Sequence, residues 1–281
     1  MATPHPDHAG AAPDVPAVLA EIVANTRAEV DRLRRADPNP VPDPAQAPPR
    51  GFVRALTANA GPAVIAEIKR QSPSAGLIRP EYQDGFDPAR IARAYHDAGA
   101  SAISCLTDKK FFGGDPSFIG LVRDASPLPV LRKDFVVDPW QIAQTRALGA
   151  DAVLLIAECL GDTELAHLVN LAIRAGLDIL LESHDAEHLE RCVPHARAHP
   201  DHLLLGINNR DLRTMTVDTD HTRRMLPSVP AVGRLVCESG IRTNADIQSF
   251  GDNGVRIFLI GEHLMRQDDP GSALRTLLSI G

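Results

Sequence analysis

The feature that most constrains the fold is a regular alternation of short apolar, β-prone runs with amphipathic stretches after residue 61. The apolar runs lie at 63–68, 101–106, 129–131, 152–156, 178–181, 203–207, 235–237 and 255–260. Runs that are apolar on both faces and alternate with helices indicate a parallel sheet covered by helices. Eight such units in about 220 residues predict an α/β protein with a closed (β/α)8 TIM barrel.

Glycines support this reading, because four of the predicted strands follow a glycine that ends an amphipathic stretch. They are Gly99, Gly149, Gly176 and Gly254. Glycine adopts the left-handed conformation that ends a helix before the next strand. An open doubly wound sheet is the alternative architecture, but no GxGxxG motif follows the first apolar run to support it.

Three regions are distinguished by composition. Residues 1–15 are rich in proline, alanine and histidine and are predicted to form a disordered tail. Residues 16–60 are predicted to form an N-terminal helical extension: a helix over 16–36, a proline-rich connector over 37–49 and a short helix over 52–59. Residues 61–281 are predicted to form the barrel and to carry catalysis.

Composition excludes several classes of protein. No apolar run approaches the roughly 20 residues needed to cross a bilayer, and the first residues do not resemble a secretory signal. The four cysteines form no CxxC pair, which favours reduced thiols and a cytoplasmic location. A net charge of −7 argues against a nucleic-acid partner. We therefore expect a cytoplasmic protein with neither a membrane nor a nucleic-acid partner.

Polar residues at the ends of the apolar runs indicate where the chemistry lies, because the carboxyl ends of barrel strands face the active site. The first run ends with Glu67 and Lys69, which alternation places on one face. A structural ion pair is the alternative, but such buried pairs contribute little to stability. Later runs end at Lys133, Glu182, Asn208, Arg210 and Glu238. Together these residues indicate acid–base catalysis.

Two glycine-bearing turns near the C-terminus predict a phosphate site. Residues 239–241 precede a helix-capping run at 243–246, and Gly261 precedes a short apolar stretch. Turns of this kind after the last two strands, followed by a short extra helix, form the phosphate cradle of many barrels. Lys69 could add a positive charge. The alternative is that both are simply tight turns.

Two histidines after the fifth predicted strand could suggest a metal site. His184 and His188 lie four residues apart, so one helix could present both to a metal. We interpret them instead as parts of a solvated helix and loop, and we predict no metal.

Several segments resemble those of a known family. VIAEIKRQSPSAG at 64–76 closely resembles the first barrel segment of indole-3-glycerol phosphate synthases. Later segments are similar to other motifs of that family, namely LTD at 106–108, FFGG at 111–114, LRKDF at 131–135, GINNRDL at 206–212, ESGI at 238–241 and LIGE at 259–262. The resemblance extends from about Val18 to the C-terminus.

The resemblance implies a reaction and a set of catalytic residues. The substrate would be 1-(2-carboxyphenylamino)-1-deoxyribulose 5-phosphate, and the products indole-3-glycerol phosphate, carbon dioxide and water. The family uses no cofactor or metal. Lys133 matches the general acid of ring closure, and Glu182 and Lys69 match the residues of the dehydration stage. Glu67 and Glu238 would orient the lysines and bind substrate hydroxyls.

The resemblance also implies a set of binding residues. Asn208 would contact the anthranilate part, with Arg210 and Ser72 nearby. Phe112 and Phe135 would form apolar walls around the aromatic ring. The phosphate would be held by Lys69, Ser239, Gly240, Gly261 and Glu262.

Other functions are alternatives to this one. A related phosphate-binding barrel could be a phosphoribosylanthranilate isomerase or an aldolase that forms a Schiff base on lysine. A non-catalytic binder of anionic ligands is the third class, but it would not need Glu67, Lys69, Lys133 and Glu182 together. We expect a monomer or a weak homo-oligomer.

Overall fold

A computed structural model describes residues 17–43, 47–58, 60–211 and 213–279, so the predicted tail lies outside the described residues. Eight parallel strands form a closed barrel, which confirms the (β/α)8 prediction and excludes the open sheet. The ten strands of the described chain are β1 (Ala63–Ile68), β2 (Gln71–Ser72), β3 (Gly76–Leu77), β4 (Ala102–Leu106), β5 (Val130–Lys133), β6 (Ala152–Ile156), β7 (Asp178–Ser183), β8 (Leu203–Asn208), β9 (Leu235–Glu238) and β10 (Ile257–Ile260).

Helices precede the barrel and cover its outside. They are α1 (Ala17–Ala36), α2 (Phe52–Thr57), α3 (Pro88–Asp97), α4 (Lys109–Phe112), α5 (Phe118–Ala125), α6 (Pro139–Ala147), α7 (Asp162–Arg174), α8 (Ala186–Ala198), α9 (Asp220–Met225), α10 (Asn244–Gly251), α11 (Glu262–Met265) and α12 (Pro270–Leu278). In the part of the chain that the structure describes, no helix has both the length and the apolar character needed to cross a bilayer.

The barrel closes where β1 pairs with β10 on one side and β4 on the other. The strands β2 and β3 form a short antiparallel hairpin in the loop after β1. At the ends of α3, α6, α7 and α10, the predicted glycines adopt positive φ angles of 88° at Gly99, 90° at Gly149, 75° at Gly176 and 85° at Gly254. Each therefore reverses the chain where a side chain would introduce strain.

Alternation along each strand divides the core into two layers. In β1, Ile65 belongs to the cluster that fills the barrel, whereas Ala66 and Ile68 belong to the cluster beneath the helices. The interior cluster also includes Leu131, Leu154, Leu180, Val236 and Leu259. The strands are apolar on both faces because both of their faces are buried.

The N-terminal end of the barrel is covered by α2. Phe52, Val53 and Leu56 are buried and belong to the cluster that fills the barrel. The amide of Val53 donates to Oδ2 of Asp178, the first residue of β7, at 2.9 Å. The opposite end, where the strands terminate, stays open.

The helix α1 lies along the rim of this open end. Its Glu21 is 3.4 Å from Lys110 in the segment after β4, and its Arg34 is 3.1 Å from Asp138, which caps α6. Helices that follow barrel strands begin at the open end, so these contacts place α1 there.

Candidate active site

Lys133 lies at the centre of the open end. Its Nζ donates to Oε2 of Glu182 at 2.6 Å and to Oε2 of Glu238 at 2.8 Å. These three residues end or nearly end β5, β7 and β9, and the carboxyl ends of parallel barrel strands meet at one edge. Both carboxylates are buried. Three residues that are far apart in the sequence thus form one charged group.

The residues beside Lys133 fix its strand. Arg132 and Asp134 point to the opposite face of β5 and pair with each other at 2.9 Å. Thr107 donates to the same carboxylate oxygen of Asp134 and accepts from Nε of Arg132. Because this network is buried and its members are paired, it holds the end of β5 rigidly and limits the positions that Lys133 can take.

The charges at the centre change one another's protonation. Burial alone would lower the pKa of Lys133, but the negative charges of Glu182, Glu238 and Glu67 raise it above its usual value. Burial would raise the pKa of Glu182, whereas Lys133 and His184 lower it. Burial and the neighbouring Glu182 raise the pKa of Glu238. Lys133 is therefore protonated at neutral pH, and Glu182 is the more acidic carboxyl of the pair.

Asn208 and Ser239 extend this group through hydrogen bonds. Asn208 donates through Nδ2 to Oε1 of Glu182 at 2.9 Å. The hydroxyl of Ser239 donates to Oδ1 of Asn208 at 2.8 Å. The amide orientation of Asn208 is thus fixed on both sides, and so is the carboxylate plane of Glu182.

Two glycines make room for the carboxylates. A Cβ on Gly206 would lie 2.4 Å from Oε1 of Glu238, and a Cβ on Gly261 would lie 2.2 Å from Oε1 of Glu67. That same oxygen of Glu67 accepts from Nζ of Lys69 at 2.6 Å. Any side chain at either glycine would displace a charged group of the site.

A cavity of about 530 Å³ opens above these residues. The predicted site residues that line it are Glu67, Lys69, Phe112, Lys133, Phe135, Glu182, Asn208, Arg210, Glu238, Ser239, Gly240, Gly261 and Glu262. Ser72 is the exception: its hydroxyl accepts from the amide of Ala75 in the hairpin after β1. Phe112 and Phe135 form an apolar wall, with ring centroids 6.0 Å apart.

The turns after β9 and β10 form the other side of the cavity. Ser239 and Gly240 both have positive φ, 67° and 89°. A Cβ on Gly240 would lie 2.6 Å from Thr219 and 2.8 Å from Val217, so only glycine fits. Two consecutive positive φ angles make a tight turn, and glycine-bearing turns after the last two strands are the usual place of a phosphate site in such barrels. The helix α11 begins at Glu262, directly after Gly261.

The cations at this side of the cavity were only partly predicted. Arg210 donates to Glu262 at 3.0 Å and to Ser74 at 3.1 Å, which links three loops. Arg242, His263 and Arg266 also line the cavity, although no sequence motif predicted them. Arg242 and His263 lie two residues after the predicted turn glycines Gly240 and Gly261, a position that could have indicated them, whereas Arg266 lies at the end of α11.

The interpretation of His184 as part of a solvated loop was wrong. Its side chain is only 10% exposed, and its ring lies between Glu158 and Glu182, 3.3 Å from each. Glu158 follows β6 and was not selected at all. Sequence spacing could not reveal this contact because the two residues are brought together only by the pairing of β6 with β7.

One group of side chains has the geometry of a cation site. Ligand atoms of Glu158, Asp185 and His188 lie within 4.8 Å of one another. Asp185 caps α8, and its Oδ1 accepts from the amide of His188 and is 2.8 Å from its Nδ1. The capping geometry therefore accounts for this cluster without a metal.

Comparison with known proteins agrees with this geometry. The sequence-family model described as indole-3-glycerol phosphate synthase matches residues 19–277. Indole-3-glycerol phosphate synthase from Rhodospirillum rubrum is 48% identical over 268 residues, 93% of this chain and 98% of that protein. The enzyme of the same name from Rhizorhabdus wittichii is 47% identical over 234 residues, 82% of this chain and 85% of that protein.

Solved structures agree at the level of the fold. A protein from Aquifex aeolicus VF5 superposes with a TM-score of 0.59 at 10% identity, covering 83% of this chain and 98% of its own. This identity shows only a shared architecture. With the family match and the two close relatives, it follows that this chain belongs to the indole-3-glycerol phosphate synthase family.

Proposed function

We propose that the cavity converts 1-(2-carboxyphenylamino)-1-deoxyribulose 5-phosphate into indole-3-glycerol phosphate, carbon dioxide and water. The observation that carries this proposal is the Lys133 ammonium between two buried carboxylates, in a chain of this family. The net reaction needs proton donors and acceptors but no electron acceptor, because one molecule loses CO2 and water.

Ring closure is the first step. The aromatic carbon that bears the carboxylate attacks the ketone carbon, and the Lys133 ammonium gives its proton to the ketone oxygen as negative charge develops there. The C–CO2 bond then breaks, and its electron pair restores the aromatic ring. Lys133 suits this task because its charge is held in place before the reaction begins.

Dehydration completes the indole. The new hydroxyl leaves with a proton as water, assisted by the electron pair of the ring nitrogen. A proton is lost from the adjacent CH2 carbon, which forms the C=C bond of the indole, so one acid and one base are required. We assign these two tasks to Glu182 and Lys69, and either residue can be the acid while the other is the base. Glu67 and Glu238 orient the two lysines through the ion pairs described above.

Substrate binding uses the two sides of the cavity. Phe112 and Phe135 enclose the aromatic ring, while Asn208 and Arg210 face its carboxylate. We assign Ser72 to the same part of the substrate. Ser72 is not among the described residues that line the cavity, so this assignment requires the hairpin after β1 to move. The phosphate binds at Ser239, Gly240, Gly261 and the start of α11 at Glu262, with Lys69 as a point charge.

The geometry weighs against an aldolase that forms a Schiff base. An imine requires a neutral amine with a free electron pair, whereas Lys133 is held as an ammonium by two carboxylates. The cytoplasmic location and the monomeric or weakly associated state both stay predictions.

The test is to mix the purified protein with the carboxyphenylamino deoxyribulose phosphate and to follow indole fluorescence. We expect product from the native protein and from Lys109→Met, an exposed lysine outside the cavity lining, but almost none from Lys133→Met. If Lys133→Met forms product at the native rate, Lys133 is not the general acid of ring closure. A native protein that binds this substrate without forming indole would refute the reaction. Borohydride trapping would then test whether the protein is an aldolase that forms a Schiff base.

A further inference from the structure

The reaction proposed above uses Glu182 but leaves unexplained a buried pair directly behind it. Glu158 lies in the turn at 157–159 after β6, and His184 follows β7. Both side chains are at least nine-tenths buried, with exposed fractions of 8% and 10%. Neither is among the described residues that line the cavity, so neither is placed to touch the substrate.

The contacts of His184 are restricted to two carboxylates. Its Nδ1 lies 3.3 Å from Oε2 of Glu158, and its Nε2 lies 3.3 Å from Oε1 of Glu182. Within the described chain, neither ring nitrogen meets the geometry of a hydrogen bond, so both contacts are ion-pair contacts. The other oxygen of Glu158 accepts from the backbone amide of His184 at 2.6 Å, so Glu158 holds both the backbone and the ring.

Glu182 is thereby held from three directions. Lys133 donates to its Oε2, and Asn208 donates to its Oε1. His184 approaches Oε1 from the side away from the cavity. A carboxylate that must exchange a proton with substrate needs a fixed orientation and a defined charge, and both depend on what contacts it from behind.

We propose, on the basis of the function assigned above, that Glu158 and His184 form a positioning pair for Glu182. Glu158 fixes the ring of His184, and the His184 imidazolium holds the Glu182 carboxylate ionised and aligned towards the cavity. The pair acts through Glu182 and does not contact the reacting atoms. A lone buried imidazolium would be costly, so the charge of Glu158 is part of the arrangement.

Electrostatics support this arrangement. Burial alone would lower the pKa of His184, but the adjacent Glu158 carboxylate and the charges of Glu182 and Glu238 raise it. The positive ring in turn lowers the pKa of Glu182. The titratable or charged groups that face the pair lie on several elements. They are Lys133 on β5, Cys159 in the turn after β6, Glu182 on β7, Asp185, His188, Arg191 and Cys192 on or just before α8, and Glu238 on β9.

The experiment measures kcat, KM, the kcat–pH profile and Tm for substitutions of the pair. His184→Leu removes both charge and donor, and we expect kcat to fall about thirtyfold with KM within about twofold. His184→Gln keeps an amide donor for Glu182, so its kcat should fall only about threefold. Without the positive ring, the pKa of Glu182 rises, so the acid limb of the His184→Gln profile should move about one pH unit upward.

A double-mutant cycle tests whether Glu158 acts through His184. Glu158→Gln should lower kcat about threefold in the native chain but by less than about 1.5-fold in the His184→Gln background. The Glu158→Gln/His184→Gln chain holds no unpaired buried charge, so it stays informative if His184→Leu does not fold. His188→Gln is the matched control, since its ring lies near Glu158 but does not contact Glu182.

The outcomes separate this inference from the proposed function. A lower Tm with unchanged kcat and an unchanged acid limb would make the pair purely structural and overturn the proposal. A change confined to KM would place His184 in contact with substrate and would also overturn it, as would additive effects in the cycle. Failure of the native protein to form indole would instead refute the proposed function.

Discussion

At the scale of single residues, the site depends on one ammonium shared by two buried carboxylates. The ammonium of Lys133 balances only one of the two negative charges that Glu182 and Glu238 can carry. The second carboxylate charge is buried without a cation of its own, which is unfavourable. Because burial and the charge of Glu182 raise the pKa of Glu238, this carboxyl takes up a proton more readily than its partner. The buried Oε1 of Glu238 makes no hydrogen bond with the described residues.

This arrangement predicts a change in pH dependence. Each carboxylate beside Lys133 favours its charged form and raises its pKa. Removing one partner with Glu238→Gln should therefore lower that pKa, and the protonated lysine needed for ring closure would be lost at lower pH. We expect the alkaline limb of the kcat–pH profile, which lies above pH 10 in the native protein, to move to lower pH and into the range between pH 7 and 10. An unmoved limb would mean that Lys133 does not limit the rate there.

The glycine opposite Glu238 gives a steric prediction. In Gly206→Ala the new methyl would lie 2.4 Å from Oε1 of Glu238, so this carboxylate must shift and its bond to Lys133 is disturbed. We expect kcat to fall about tenfold, or about 1.4 kcal/mol in activation free energy. Gly120→Ala in α5 is the matched control, because no atom lies within 4 Å of its Cβ, and it should leave kcat unchanged. Equal kinetics in the two variants would contradict this account.

At the scale of elements, a buried ion pair joins the N-terminal connector to the closed end of the barrel. Arg123 in α5 donates to Oδ1 of Asp151 at 2.6 Å, and the amide of Val130 donates to Oδ2 at 2.7 Å. The same Asp151 accepts from the amide of Arg50 at 2.7 Å. One carboxylate thus connects the segment before α2, the start of β5 and a barrel helix.

Asp151→Asn should therefore destabilise the fold strongly. The substitution leaves the Arg123 guanidinium buried without its counter-charge, which typically costs about 3–5 kcal/mol. Asp31→Asn removes an exposed pair with Arg34 in α1 and should cost less than about 1 kcal/mol. Chemical denaturation of both variants measures the difference, and a small loss for Asp151→Asn would show that water or other groups satisfy Arg123.

At the scale of the whole molecule, the two ends of the barrel have different tasks. The closed end carries α2, Asp151 and Asp178, whose contacts serve stability. The open end carries the carboxylates, the lysines and the cavity. This division is common in (β/α)8 enzymes, in which strand ends and loops vary without disturbing the packing beneath.

The division predicts that ligand binding and closed-end stability are independent. Indole-3-glycerol phosphate at a hundred times its Kd should stabilise the fold by about 2.7 kcal/mol and raise Tm. Asp151→Asn should start from a lower Tm but gain the same stabilisation free energy at the same fractional saturation, because the substitution lies far from the cavity. Calorimetric scans with and without ligand test this. A much smaller gain would indicate that the two ends are coupled.

Local sequence determined most of the architecture. Apolar runs located the eight barrel strands, and glycines marked four helix ends, because backbone conformation and burial depend on residues within a few positions. Thirteen of the fourteen predicted site residues line the cavity for a related reason: strand ends point to one mouth in any such barrel. The resemblance to a known family supplied their roles, which periodicity alone would not have indicated.

Only the tertiary structure decided the contacts between elements. The His184 ring lies against Glu158 because β6 and β7 pair in one register, and a one-residue shift would turn these side chains to opposite faces. Gly206 on β8 makes room for the carboxylate of Glu238 on β9, a contact that exists only because these strands are neighbours. Sequence patterns specify which face a residue occupies, whereas the distances that set charge and protonation exist only after the barrel has closed.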